Sequence, residues 1–211
     1  MLDLSGHTFK EACTRLEAGG YRQFATGNWS LVYETPDTGR IIRATLYDPA
    51  YLLFARLCSQ FPHPNLPTHH SITHLLGHGY LVEMPRYAPG GSAFCHEFAA
   101  ALKAAMSGEA ENDDLAGLAR ILQRGIAEGE AYIPYFAGVD WNPENVLVDG
   151  ETPVLVDGFY QGGKTITQRI AQGLPMLIGQ AEIESFLQIP FHNPSQRQGV
   201  HFLGSRTFFG W

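Results

Sequence analysis

Basic residues are sparse in this chain, and lysine is the scarcest of them. It occurs only at Lys10, Lys103 and Lys164, so none lies between Lys10 and Lys103. With 14 Lys+Arg against 21 Asp+Glu, the formal net charge is −7. That balance argues against a surface built for nucleic acid or an anionic membrane. Cysteine is equally rare: Cys13, Cys58 and Cys95 are odd in number, widely spaced and set among apolar neighbours. They speak against a disulfide framework or a zinc site, and for packed thiols in a reducing compartment. No apolar run approaches bilayer-spanning length. The opening MLDLSGHTFKEAC lacks a basic stretch followed by an apolar one, so no signal peptide is expected. The expectation is a soluble, cytoplasmic protein with neither nucleic acid nor membrane as partner.

Apolar residues, by contrast, are plentiful. They make up 45% of the 211 residues, with 12% aromatic, enough to bury the core of one domain or of two small lobes. Phe9, Cys13 and Leu16 stand at helical spacing, which predicts a helix over Ser5 to Glu17 stopped by Gly19-Gly20. YRQFATGNWSLVYET and GRIIRATLY read as strands joined by the turn Pro36-Asp37-Thr38-Gly39. A second helix is expected from Asp48 to Phe61, with Asp48 as N-cap and Pro49 at its first position. SITHLL and GYLVEM are two more strand-like runs, and YAPGGS, from Tyr87 to Ser92, is a break. Beyond it, helices are expected at Ala93–Met106, Asp114–Ala131, Thr165–Ile178 and Ala181–Gln188.

Between these helices lies VDWNPENVLVDGETPVLVDGF, from Val139 to Phe159. Asp140 and Asn145 share one short loop. Val146-Leu147-Val148 and Val154-Leu155-Val156 form a hairpin turned at Asp149-Gly150, and the return strand ends on Asp157-Gly158. Phosphoryl transfer from a nucleotide needs such parts: a carboxylate beside the acceptor hydroxyl, and a carboxylate with an amide to hold magnesium on the phosphates. Singly, each residue has a plainer explanation, with Asp157-Gly158 as a turn and Asn145 as a cap. Their order and spacing together favour the chemical one.

At these residues the chain resembles the protein-kinase-like superfamily, including its compact bacterial and phage-type members and the aminoglycoside-phosphotransferase branch. VDWNPENVLV is similar to the catalytic loop, and LVDGF to the metal-binding Asp-Phe-Gly segment with its last two residues exchanged. The resemblance spans roughly Gln23 to Tyr160 and implies a two-lobed α+β fold. Its N-lobe would be a small antiparallel sheet (1–84), and its reduced C-lobe mainly helical (85–211). It implies ATP and Mg2+ as cofactors, Asp140 as the catalytic carboxylate, and Asn145 and Asp157 as metal ligands. ATGNWSLVYE resembles a reduced Gly-rich loop, placing Gly27 and Asn28 over the phosphates and Val32 over the base. Taken alone, it is an ordinary hairpin strand with one glycine. HPNLP resembles the loop leading to the fourth strand. YLVEMPRY resembles the fifth strand and hinge, where the backbone of Glu83 and Met84 would meet adenine, Pro85 having no N–H to offer.

The sequence also departs from the family pattern. Arg43 stands where the third-strand lysine is expected, the helix from Asp48 to Phe61 contains no glutamate to pair with it, and Gly138-Val139 replaces the usual His-Arg before Asp140. Arginine keeps the charge and can grip phosphate in a fork. Arg43 is therefore a phosphate clamp, a surface cation on a strand, or the mark of a weakened enzyme.

Other polar residues read more plainly. His63, His69, His70, His74 and His78 fit no standard ligand spacing, Glu144 is a surface charge beside Asn145, and Lys164 is an exposed lysine past Asp157. The expected function is a compact atypical kinase acting on a hydroxyl, with a protein substrate favoured over a small molecule. A phage or effector source would place it in a host cytoplasm. The alternative is a pseudokinase, keeping the fold as a nucleotide- or partner-binding regulatory module.

Overall fold

The structure is a computed structural model and describes residues 2–27, 29–36, 39–110 and 112–189. Two compact units are interleaved along the chain. The first comprises the described residues up to Asp48, His69–Arg86, and those from Gly162 onward; the second comprises Pro49–Thr68 and Tyr87–Gln161.

The first unit opens with α1 (Phe9–Ala18). This helix starts later than its apolar spacing suggests because Thr8 and Glu11 form a capping box. The Thr8 N–H donates to Glu11 Oε2 at 2.9 Å while Thr8 Oγ1 accepts from the Glu11 N–H. Ser5, the expected start, instead donates its hydroxyl to Asp3. The stretch YRQFATGNWSLVYET is not one strand but a hairpin of β1 (Arg22–Thr26) and β2 (Ser30–Glu34). The Gly27 N–H donates to the Ser30 carbonyl at 2.9 Å and closes its turn. β3 (Arg40–Thr45), β4 (Ser71–His74) and β5 (Tyr80–Pro85) complete a five-stranded antiparallel sheet in the order β1-β2-β3-β5-β4. Asp37 and Thr38 of the expected turn before β3 lie outside the described residues.

Strand alternation sorts the faces of this sheet. Leu31, Tyr33, Ile42, Ala44 and Leu81 join Ala12, Cys13 and Leu16 of α1 in one core. The register Val32↔Arg43↔Val82 and Ser30↔Thr45↔Tyr80 puts Arg43 and its neighbours on the other face of the central strand. α5 (Gly163–Ala171) and α6 (Gln180–Leu187) belong to the same unit. α5 ends well before the expected Ile178, because Gly173 adopts a φ of 63° and Pro175 follows. α6 presents Phe186 to Trp29, with ring centroids 5.4 Å apart.

In the second unit, α2 (Pro49–Gln60) starts at its expected proline. α3 (Ser92–Met106) and α4 (Asp113–Tyr132) follow, the latter capped by Asn112, whose side chain accepts from the Leu115 N–H at 2.9 Å. β7 (Phe136–Val139) pairs with β10 (Phe159–Gln161). β8 (Val146–Asp149) and β9 (Thr152–Leu155) form the expected hairpin, with Gly150 at a φ of 61°. The break after Tyr87 carries a short strand that its turn chemistry hid: β6 (Ala88–Pro89) pairs with β8.

Two helical glycines set the floor of this unit. A Cβ on Gly125 would stand 2.3 Å from the Phe159 ring, and one on Gly129 would stand 2.5 Å from the Phe136 ring. These glycines cost α4 roughly 1 kcal/mol each in propensity. In return they let the aromatic rings of β7 and β10 lie against the helix backbone. Phe159 also meets Phe54 of α2 edge-on at 5.8 Å. This apolar base fixes the two strands from which the polar loop is hung.

Candidate functional site

The loop after β7 is held by its own side chains. Asp140 Oδ1 accepts the Asn142 N–H at 3.0 Å, and Asp140 Oδ2 accepts from Asn145 Nδ2 at 2.8 Å. Asn142 in turn caps the single 3-10 turn Pro143–Asn145, its Oδ1 accepting the Glu144 N–H at 3.1 Å. Both carboxylate oxygens of Asp140 are thus oriented by donors from the next five residues. The spacing Asp-x4-Asn works because a tight turn headed by proline returns the amide to the carboxylate.

Asp157 is brought to the same place through the backbone. The Val156 N–H donates to the Asn145 carbonyl at 2.8 Å, and the Asp140 N–H donates to the Gly158 carbonyl at 3.1 Å. The residues on either side of Asp157 are therefore tied to Asn145 and to Asp140. Asp157-Gly158 is a link from β9 to β10 and not a hairpin turn. Gly158 is required by packing, since a Cβ there would lie 2.5 Å from the Phe54 ring. The negative charge of Asp157 is also felt by Cys58 on α2. That thiol is pushed well above its ordinary range, first by burial and further by Asp157.

These residues suit a hard cation. Asn145 spends its amide nitrogen on Asp140, which leaves its carbonyl oxygen as the donor it can offer a metal, and Asp157 supplies a carboxylate. Oxygen-only donors of this kind match Mg2+ better than zinc. Asp140, Asn145 and Asp157 are all half-buried, so they are shielded yet reachable.

In the sheet unit, Arg43 sits on the central strand with its side chain 12% exposed, and its Nη2 lies 3.4 Å from Asp48 Oδ2. It is not a solvated surface cation. Asp48, expected only as a helix cap, is thus its acidic partner. The signal available in the sequence was a carboxylate just past the end of the strand. Val32 faces Arg43 across the sheet, Gly27 closes the β1–β2 turn, and Asn28 lies outside the described residues. The Glu83 side chain is taken up by Arg40 at 3.0 Å, and its carbonyl by the His70 N–H at 2.8 Å. Met84 is buried and runs one residue beyond the last pairing of β5 with β4. Glu144 and Lys164 are exposed. Among the described residues no group of three or more His, Cys, Asp or Glu side chains is placed to hold a metal, and none of their helices is long and apolar enough to cross a membrane.

No family model matches the chain, and no curated protein matches it. Among solved structures it is similar to the PknI kinase domain of M. tuberculosis, at 13% identity and a TM-score of 0.40, covering 88% of this chain and 76% of that one. It is similar to the CAK complex from Chaetomium thermophilum bound to ATP-gamma-S, at 16% identity and a TM-score of 0.38, covering 84% and 71%. A third likeness is to the GDP and kanamycin complex of APH(2")-IIia, at 12% identity and a TM-score of 0.40, covering 84% and 81%. Overlaps of this depth transfer no residue roles.

Proposed function

We propose that the protein is a compact kinase-like phosphotransferase that uses ATP and Mg2+. One observation carries the reading: Asp140 and Asn145 are bonded side chain to side chain, and Asp157 is bracketed by backbone bonds to both. Asn145 and Asp157 would hold magnesium, which when bound neutralises the phosphate oxygens and orients the γ-phosphoryl group. Asp140, held by two N–H donors, orients the acceptor hydroxyl and takes its proton as the new O–P bond forms. The bond from the γ-phosphorus to the bridging oxygen breaks, and ADP leaves. Arg43 is the cation for the phosphates, and the backbone near Met84 is the contact for adenine. The acceptor is a hydroxyl on a protein.

Incubation with magnesium and γ-labelled ATP tests this, with Asp140→Ala and Asp157→Ala as controls. The proposal expects label on the protein itself, on a protein mixture or on water, lost in both variants. A nucleotide-induced thermal shift without transfer would favour the second reading, a binding module, for which Arg43 in place of lysine is the supporting feature. Neither transfer nor shift would end both.

A further inference from the structure

In the second unit acidic residues outnumber basic ones, which are only Arg56, Lys103, Arg120 and Arg124. All but Lys103 line one seam, where the end of α2 and the segment after it run antiparallel to α4. Arg56 Nη2 lies 3.4 Å from Glu128 Oε1. Further along, the Arg124 guanidinium lies over the Phe61 ring, 4.6 Å from its centroid. A Cβ on Gly117 would stand 3.4 Å from His63 Nε2 and 3.9 Å from Arg120 Nη2, so Arg120 reaches back toward the same segment. Gly117, Arg120, Arg124 and Glu128 recur at three- and four-residue spacing and share one face of α4. Glu128, four residues from Arg124 and able to neutralise it, is taken by Arg56 instead. Arg120 and Arg124 are exposed, and among the described residues neither has an ion-pair partner.

We propose that this seam is a docking surface for a short acidic segment of a partner protein. The proposal stands apart from the phosphotransferase reading. Stacking on Phe61 covers one flat face of the Arg124 guanidinium and leaves its N–H edges to fork onto a carboxylate. Arg120, one turn away on the same stripe, offers a second fork. Four residues of helix separate the two by about 6 Å along the axis. Alternate side chains of an extended peptide are about 6.6 Å apart, so acidic residues at positions i and i+2 can meet one arginine each. A long polyanion suits the surface less. Asp113 and Asp114 close the stripe at the start of α4 and repel a chain of phosphates that runs past it. Charge complementarity of this kind serves specificity more than raw affinity, so the complex is expected to weaken with salt.

Fluorescence anisotropy of the full chain with a labelled peptide of alternating Glu and Ser, at low salt, is the test. A Gln-Ser peptide and a single-stranded oligonucleotide of similar charge are measured beside it. The Glu peptide should bind more tightly than either. Its affinity should fall about tenfold in the double variant Arg120→Gln/Arg124→Gln and hold in Lys103→Gln, which removes a charge from α3. In Arg120→Glu/Arg124→Glu the preference should reverse to a Lys-Ser peptide, a gain that a failure to fold could not produce. The proposal is overturned by a Glu peptide that does not bind, that binds no better than its Gln counterpart, or that binds the double Gln variant as it binds the wild type. An oligonucleotide bound as tightly as the Glu peptide would overturn it too. Each of these results leaves the phosphotransferase reading, which is judged by label transfer, where it stands.

Discussion

At Asp140 both carboxylate oxygens accept N–H donors, from Asn142 at 3.0 Å and from Asn145 at 2.8 Å. An isosteric amide at this position would keep the side chain's shape and one of its two accepting oxygens, but lose the proton acceptor. Asp140→Asn is therefore expected to lower turnover by roughly 10²–10⁴-fold, the usual contribution of a positioned base, with little effect on nucleotide affinity. Steady-state kinetics beside a binding isotherm separates the two quantities. A parallel fall in both would show that Asp140 serves the loop's structure and not the chemistry. The loop was legible residue by residue because its logic is local: a carboxylate, a proline-headed turn and an amide lie within one short stretch. The pairing of Arg43 with Asp48 was not, since it depends on which way a strand side chain leans, and sequence spacing leaves that open.

Elements hold this loop through aromatic packing, and here glycine is the informative residue. Gly125 and Gly158 sit where a methyl group would fall 2.3 Å from the Phe159 ring and 2.5 Å from the Phe54 ring. Gly125→Ala and Gly158→Ala should each cost about 1–3 kcal/mol through overpacking, seen as a lower denaturant midpoint at unchanged slope. Unaltered midpoints would mean that the base of the loop is loosely packed. A further contact ties the segment after α2 to the start of α4. His63 Nε2 lies 3.1 Å from the Asp114 carbonyl, while the Asn65 N–H reaches His63 Nδ1 at 3.2 Å. Only the neutral ring with its proton on Nε2 makes both bonds. Burial lowers the His63 pKa below its ordinary 6.5, with the Asp114 carbonyl acting in the opposite sense. Below pH 6.5 the unfolded chain binds more protons at this site than the folded one. Stability is then whole above that pH and is lost as pH falls through the lower folded value. Urea titrations from pH 8 to pH 5 should show this loss in the wild type and less of it in His63→Gln; equal losses would remove His63 from the account.

At the scale of the whole molecule, most helices and strands were readable from apolar period and turn residues, and their misplacements have physical causes. α1 starts at Phe9 and not at Ser5 because the Thr8–Glu11 capping box outranks apolar spacing. α5 stops at Ala171 because Gly173 and Pro175 cannot extend it. β6 leaves no signal in the sequence because its partner β8 lies far along the chain, and pairing over such distance has no local trace. What the molecule does with these elements turns on whether the Asp140–Asn145–Asp157 group holds a metal with its nucleotide. The most direct measurement is the thermal unfolding midpoint with ATP, with and without magnesium, for the wild type and for Asp157→Asn. A metal held by Asn145 and Asp157 would give a magnesium-dependent stabilisation by ATP in the wild type, about 2.7 kcal/mol at a hundredfold excess over Kd, and none in Asp157→Asn. A wild type indifferent to Mg·ATP, or a variant stabilised as fully as the wild type, would contradict it.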